Sequence, residues 1–266
     1  MYRSAEVVRL KGTDIQPGTD DLVVEEPLEI RLNGESIAVT MRTPGQDEAL
    51  AVGFLATEAI IVSPEDVWDI HRCSHPDHPD QFNIVEVTVP PERLPEVVLA
   101  GRQRYSSSAC GICGAASIEV VRKIAPSIVN VPTVSRELLL SLPDRLRSAQ
   151  QVFERTGGLH AAGLFTVNGE LIFHAEDVGR HNAVDKVVGA ALLSGRWPPD
   201  DAVLMVSGRA GFEIVQKELV ARIPTVCSVS APSSLAVDLA LEAGMVLVGF
   251  LRGDKMNIYA GAEYVR

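Results

Sequence analysis

The chain has 266 residues, 46% of them hydrophobic and 22% charged; this composition fits a soluble globular protein with a sizeable core and excludes a disordered, collagen-like or disulfide-scaffold chain. Its formal net charge of -11 repels phosphate on average, which argues against a general binder of nucleic acid or anionic membrane. Any anionic ligand must therefore be held by a local cluster of donors. The opening MYRSAEVVRLKGTDIQ lacks the apolar stretch of a secretory signal, and no run approaches the length of a membrane span. A cytoplasmic location is expected, where Cys73, Cys110, Cys113 and Cys227 stay reduced rather than pairing as structural disulfides.

In chain order, residues 29–40 (EIRLNGESIAVT) predict a hairpin turning at Asn33-Gly34. Asp47 is expected to cap a helix that carries Leu50, Ala51, Phe54 and Leu55 at helical spacing. Residues 71–80 (HRCSHPDHPD) predict a polar loop, NIVEVTVP a strand, residues 106–114 (SSSACGICG) a small-residue loop, and ASIEVVRKIA a helix. Residues 135–158 predict helix ending in a two-glycine cap, with Pro143 breaking it or starting a second helix. A domain boundary is placed near residue 130. It separates a smaller N-terminal α+β domain, 1–130, which carries the CxxC loop near its end, from a C-terminal α/β domain, 131–266.

The second half begins with another hairpin, at Asn168-Gly169. Helix and strand patterns then alternate: HNAVDKVVGAALLSG, AVLMVSG, FEIVQKELVAR, PTVCSVS, SSLAVDLALEAG and MVLVGFLRG. Such alternation implies right-handed crossovers and a mostly parallel sheet covered on both faces. Ligands of open α/β sheets bind beyond the carboxyl ends of the strands. Here those ends carry Ser207-Gly208-Arg209, then Ser230-Ala231-Pro232-Ser233-Ser234, then Arg252-Gly253-Asp254-Lys255. Backbone N–H groups at helix starts beside basic side chains suit a phosphate-bearing ligand; the plainer alternative is ordinary turns with solvated arginines.

The sharpest local feature is Cys110-Gly111-Ile112-Cys113. A helix starting just after Gly114, with Arg102 and Arg104 nearby in sequence, would lower the thiol pKa and raise the thiolate fraction. A reachable thiolate takes the outer sulfur of a persulfide by the displacement that drives disulfide exchange. Three alternatives compete. A zinc site needs four ligands, and one CxxC supplies two; His71, Cys73, His75 and His78 would have to supply the rest. A thioredoxin-like oxidoreductase places its CxxC just after a strand in an early βαβ unit, which this context does not match. A zinc deaminase has H-x-E before P-C-x-x-C, whereas His174-Ala175-Glu176 follows the cysteines and Ala109 precedes Cys110. Cys227 is expected to be a buried small hydrophobe.

Long motifs spread through the chain, in one order, carry a resemblance. They are EEPLEIRLNG (25–34), MRTPGQDEALAVGFLATEAII (41–61), SSSACGICGAASI (106–118), TGGLHAAGLF (156–165), EDVGRHNAVDKVVG (176–189), SGRAGFEIVQK (207–217), SAPSSLAVDLA (230–240) and GFLRGDKMNIY (249–259). With them the sequence resembles the formate dehydrogenase accessory sulfurtransferases, the FdhD family, over nearly its whole length. Ala59 stands where that family often has Gly, and Ala221-Arg222 where it often has Ala-Gly.

The resemblance implies a sulfurtransferase that accepts persulfide sulfur from a cysteine desulfurase. It passes that sulfur to the molybdenum (or tungsten) bis-guanine-dinucleotide cofactor of formate dehydrogenase, which it holds as acceptor rather than as a permanently bound group. It implies Cys110 as the persulfide cysteine, Cys113 as the second cysteine, and Phe250, Leu251, Arg252, Gly253, Asp254 and Lys255 as the cofactor-binding stretch, with no protein-bound metal. A cytidine-deaminase-type three-layer larger domain and a homodimer are further expectations. His160, Arg180, His181, Asp185 and Lys186 lie in the motifs as candidate pocket residues, with Glu176 and Asp177 orienting them. The plainer alternative makes the histidines core or helix-start residues and Asp185-Lys186 a solvated helix face.

Overall fold

The computed structural model describes residues 1–74, 82–94 and 127–266. A two-stranded ribbon, β1 (Tyr2–Lys11) and β2 (Asp14–Val23), precedes a hairpin of β3 (Glu26–Leu32) and β4 (Glu35–Arg42). Asn33 and Gly34 both have positive φ, 49° and 88°, as the two-residue turn matching right-handed strand twist requires. Helix α1 (Asp47–Thr57) follows, and then β5 (Asp69–Cys73) and β6 (Ile84–Thr88) complete a four-stranded sheet in the order β4-β3-β6-β5. The expected loop at 71–80 therefore begins as strand: His71 pairs with Glu86 and Cys73 with Ile84. Residues 75–80, like the helix expected at 116–125, lie outside the described residues.

Asp47 is the first residue of α1, not its cap. Its carboxylate is taken by buried Arg42, at 2.9 and 3.3 Å, and by Arg72, at 3.0 Å. Charge-assisted bonds of this kind are stronger than a neutral capping bond, and the cap position falls to Gln46 in left-handed backbone, φ 56°.

Helices α2 (Arg136–Ala149) and α3 (Gln151–Thr156) meet at Gln150, and Gly157 caps α3 with φ 65°. Pro143 lies inside α2 without breaking it. Leu139, Leu142 and Leu146 on both sides of it are buried against the sheet, and this packing outweighs the local penalty of the missing N–H. The remaining elements are β7 (His160–Thr166), β8 (Leu171–Asp177), α4 (Arg180–Leu193), β9 (Ala202–Val206), α5 (Phe212–Val220), β10 (Thr225–Ser228), α6 (Ser234–Ala243), β11 (Val246–Arg252) and β12 (Lys255–Ala260). The six strands form one sheet in the order β12-β11-β10-β9-β7-β8. Its centre, β9-β10-β11, is parallel, while the hairpins β7-β8 and β11-β12 make the flanks antiparallel. The sheet is thus mixed rather than mostly parallel.

The fold is α/β with α+β parts. Helix α2 covers one face of the six-stranded sheet. The other face packs on α4, α5 and α6, and the apolar cluster continues through α1 to the four-stranded sheet. Helices α1 and α4 cross at Gly53 and Gly189, where an added Cβ would lie 1.7 Å from the Asp185 carbonyl oxygen and 1.9 Å from that of Ala49. No side chain fits there.

Both departures from the family's usual glycines fall on left-handed backbone. Ala59 (φ 59°) and Arg222 (φ 62°) each follow a helix C-cap. The next N–H in each case reaches back to close the cap, Ile60 to Leu55 and Ile223 to Glu218. Among the described residues, no helix is long and apolar enough to cross a membrane.

Candidate functional site

Because β9, β10 and β11 run parallel and β8 runs with them, one edge of the sheet collects their carboxyl ends and the start of β7. Ser207 locks this edge: its N–H donates to the Ala161 carbonyl at 2.9 Å, and its Oγ accepts from the Ala161 N–H at 2.8 Å. The turn that follows brings Gly208 against His160 and Arg180; a Cβ on Gly208 would sit 3.4 Å from the His160 Nδ1. Burial, and then the Arg180 charge, lower the His160 pKa while Asp177 opposes them, which leaves a neutral ring.

The expected pocket residues separate into two groups. Asp177 is saturated, accepting from Gly179 N–H (2.8 Å), Asn182 (2.9 Å), Thr43 N–H (3.1 Å) and Lys186 (2.7 Å). Lys186 also donates to the carbonyls of Thr43 and Glu176. Glu176 accepts the Val152 and Phe153 N–H groups at the start of α3. Asp185 pairs with Lys217 at 2.9 Å and accepts from Thr57 at 2.8 Å. Asp185 and Lys186 are therefore buried struts, not a solvated helix face. Burial works to lower the Lys217 pKa, but Asp185 and Glu58 outweigh it and hold the ammonium above its ordinary value. Burial, and then the Asp185 charge, raise Glu218 well above its ordinary value, and its oxygens have no hydrogen-bond partner among the described residues. His181 donates from Nε2 to Glu213 at 2.7 Å. Burial, and then Arg180 and Lys217, push its pKa down to about 3, so the ring is neutral.

The second group stays uncommitted. Arg180, Arg209, Arg252 and Lys255 have no ion-pair partner among the described residues. In the 250–255 stretch the side chains diverge. Leu251 is buried in the cluster under α2, whereas Phe250, Arg252, Asp254 and Lys255 are exposed. Phe250 (φ 52°) and Gly253 (φ 58°) bend the β11-β12 hairpin, and the Phe250 N–H donates to the Ser230 carbonyl at 3.0 Å. Gly249 lets the β10-α6 loop lie on the strand, since a Cβ would meet Pro232 at 2.8 Å. Arg252 thus stands beyond the sheet edge, 5.9 Å from the Phe250 ring centre.

On the α2 face a groove of about 560 Å³ runs from this edge, lined by Arg147, Gln150, Phe153, Gly158, His160 and Ser207. The sequence reading missed Arg147, Gln150 and Phe153, because only the break between α2 and α3 turns them toward the strand ends. Cys227 is buried in β10 as expected, and burial pushes its thiol up. Cys110 and Cys113 lie outside the described residues.

The fold and this edge define a mixed α/β protein with a strand-end crevice rimmed by uncommitted cations, a form suited to an anionic ligand. The FdhD/NarQ family model matches residues 23–266, and the chain belongs to that family. It is 53% identical over 266 residues to the sulfur carrier protein FdhD of Streptomyces coelicolor, covering 98% of this chain and 94% of that one. It is 48% identical over 267 residues to the protein of the same name from Mycobacterium tuberculosis, covering 97% and 96%. A crystal structure from Desulfotalea psychrophila, described as that of a formate dehydrogenase accessory protein, superposes with a TM-score of 0.78. It covers 100% of this chain and 99% of that one at 24% identity, a likeness of fold.

Proposed function

We propose that this protein is a sulfur carrier that serves formate dehydrogenase, with Cys110 as the carrying atom. The reading rests on the Cys110-Gly111-Ile112-Cys113 pair in a chain about half identical to proteins named sulfur carriers. The Cys110 thiolate attacks the outer sulfur of a cysteine desulfurase persulfide; the donor S–S bond breaks and the donor cysteine leaves as thiolate. Cys113 then attacks the inner sulfur of the Cys110 persulfide and expels the outer one as hydrosulfide. Oxidation of the two cysteine sulfurs to the Cys110–Cys113 disulfide supplies the two electrons that hydrosulfide carries away, and a cellular dithiol then reduces the disulfide and resets the pair. The hydrosulfide becomes a ligand of the molybdenum (or tungsten) bis-guanine-dinucleotide, the cargo of the reaction.

The phosphates of that cargo suit the strand-end edge. Arg180, Arg209, Arg252 and Lys255 are not neutralised by described partners, and anions gain most from cations that carry no other load. Phe250 offers an exposed ring beside the Arg252 guanidinium for a guanine to stack on. The protein works as a homodimer in the reducing cytoplasm.

The test is mass spectrometry after incubation with a cysteine desulfurase and cysteine. A gain of one sulfur atom on the Cys110 peptide, absent from Cys110→Ala, is expected. About one zinc per chain, with both thiols closed to alkylation, would instead make the CxxC a structural metal site in a non-catalytic cofactor-binding chaperone.

A further inference from the structure

The groove of about 560 Å³ on the α2 face has the size of a small-molecule site. Leu146, Met205 and Val229 give it an apolar floor. Its two charged groups, Asp144 and Arg147, are of opposite sign, and His160 is neutral, so the groove offers a phosphate no net charge. Arg147 stands over the Phe153 ring, 4.3 Å from its centre, and a guanidinium on a phenyl ring makes a flat wall on which another ring can stack. Gln150, between them, is 5% exposed, and no hydrogen bond reaches its side chain among the described residues. A buried amide left in that state costs free energy. Among the described residues only Glu218 and Thr225 hold side-chain polar atoms that are fully buried without a partner. The Gln150 amide therefore keeps an opening, and the groove that it lines is that opening. The wall is fastened from outside: Glu176 of β8 accepts the Val152 and Phe153 N–H groups at the start of a six-residue helix too short to hold its shape alone.

We propose that this groove seats the pterin ring of the cargo and that Gln150 reads the ring's edge, an inference that rests on the cargo assignment made above. A pterin is flat and uncharged, and its pyrimidinone edge carries a ring N–H beside a carbonyl. The Gln150 amide complements that pair: Oε1 accepts from the ring N–H while Nε2 donates to the carbonyl. Paired contacts of this kind give a buried amide both of its partners at once. Position agrees with chemistry. In the cargo a ribose and a diphosphate separate each guanine from its pterin. With guanine on Phe250 of β11 and the phosphates on the cations of the edge, the pterin falls toward β7. In the order β11-β10-β9-β7 that is three strand spacings, about 14 Å, a span that the ribose and diphosphate cover. There His160, at the start of β7, and Ser207, just after β9, lead into the groove.

Titration of the full chain with free pterin, followed by its fluorescence, and with GDP, followed by calorimetry, tests this. The wild type is expected to bind both together, neither displacing the other, a readout that needs no variant. Gln150→Leu is expected to weaken pterin binding about 10- to 100-fold, the loss of one paired edge contact, and to leave GDP affinity unchanged. Arg252→Ala is expected to weaken GDP and spare pterin. Competition between pterin and GDP, a Gln150→Leu protein that holds pterin as well as the wild type, or a wild type that binds GDP but no pterin at millimolar concentration would each overturn the proposal while the guanine site stands. A wild type that binds neither ring overturns the cargo assignment as well, and the persulfide measurement on Cys110 still judges sulfur carriage by itself.

Discussion

Lys186 and Lys217 lie in the interior, each held by a carboxylate and by further oxygens from neighbouring elements. At the strand-end edge, Arg209, Arg252 and Lys255 face water with no ion-pair partner among the described residues. All five sit in or beside the long motifs that carry the family resemblance. Motif membership therefore does not tell a strut from a ligand contact; the burial and saturation of each polar atom do. Asp177 ties the start of α4 to the segment after β4 with four accepted bonds. Asp185 ties α4 to α1 and α5 through Thr57 and Lys217. These bonds set the backbone from which Arg180 and His160 reach the edge, so the interior acts on the site through position alone.

Four substitutions sharpen the contrast. Asp185→Ala leaves the Lys217 ammonium buried without its carboxylate and should cost about 3–5 kcal/mol of stability. Adding Lys217→Met should recover much of that loss, and a double-mutant cycle by denaturant unfolding checks both. At the edge, Arg252→Ala should change stability by less than about 0.5 kcal/mol yet lower the affinity for GDP about tenfold, the loss of one charge-assisted contact. Calorimetry beside a melting curve separates the two effects, and an unfolded Arg252→Ala protein would erase the contrast. The smallest effect is expected at Arg222→Gly, away from both regions. It should raise stability by about 0.5–1 kcal/mol, because a left-handed non-glycine residue costs about 1–2 kcal/mol and glycine returns part of that as chain entropy.

Much of this was legible locally. Asn33-Gly34 and Asn168-Gly169 place two hairpins, since turn chemistry is decided within four residues. The alternation after residue 180 yields the helices, the central strands and, through the strand-end rule, the loops at Ser207, Ser230 and Arg252. Less legible were effects that depend on distant partners. Pro143 stays in helix because Leu139, Leu142 and Leu146 hold α2 to the sheet. Asp47 fails to cap because Arg42 and Arg72 take its carboxylate.

From its own residues the sequence determined the α/β class, the two Asn-Gly turns and the cysteine pair, because turn preference, hydrophobic period and thiol spacing are all properties of short segments. Only the tertiary structure decided that Asp185 and Lys186 are struts while Arg252 is free, that α1 and α4 touch through Gly53 and Gly189, and that α3 turns a groove toward His160. Each of these depends on which atoms far apart in the chain meet, and local spacing carries no record of such meetings.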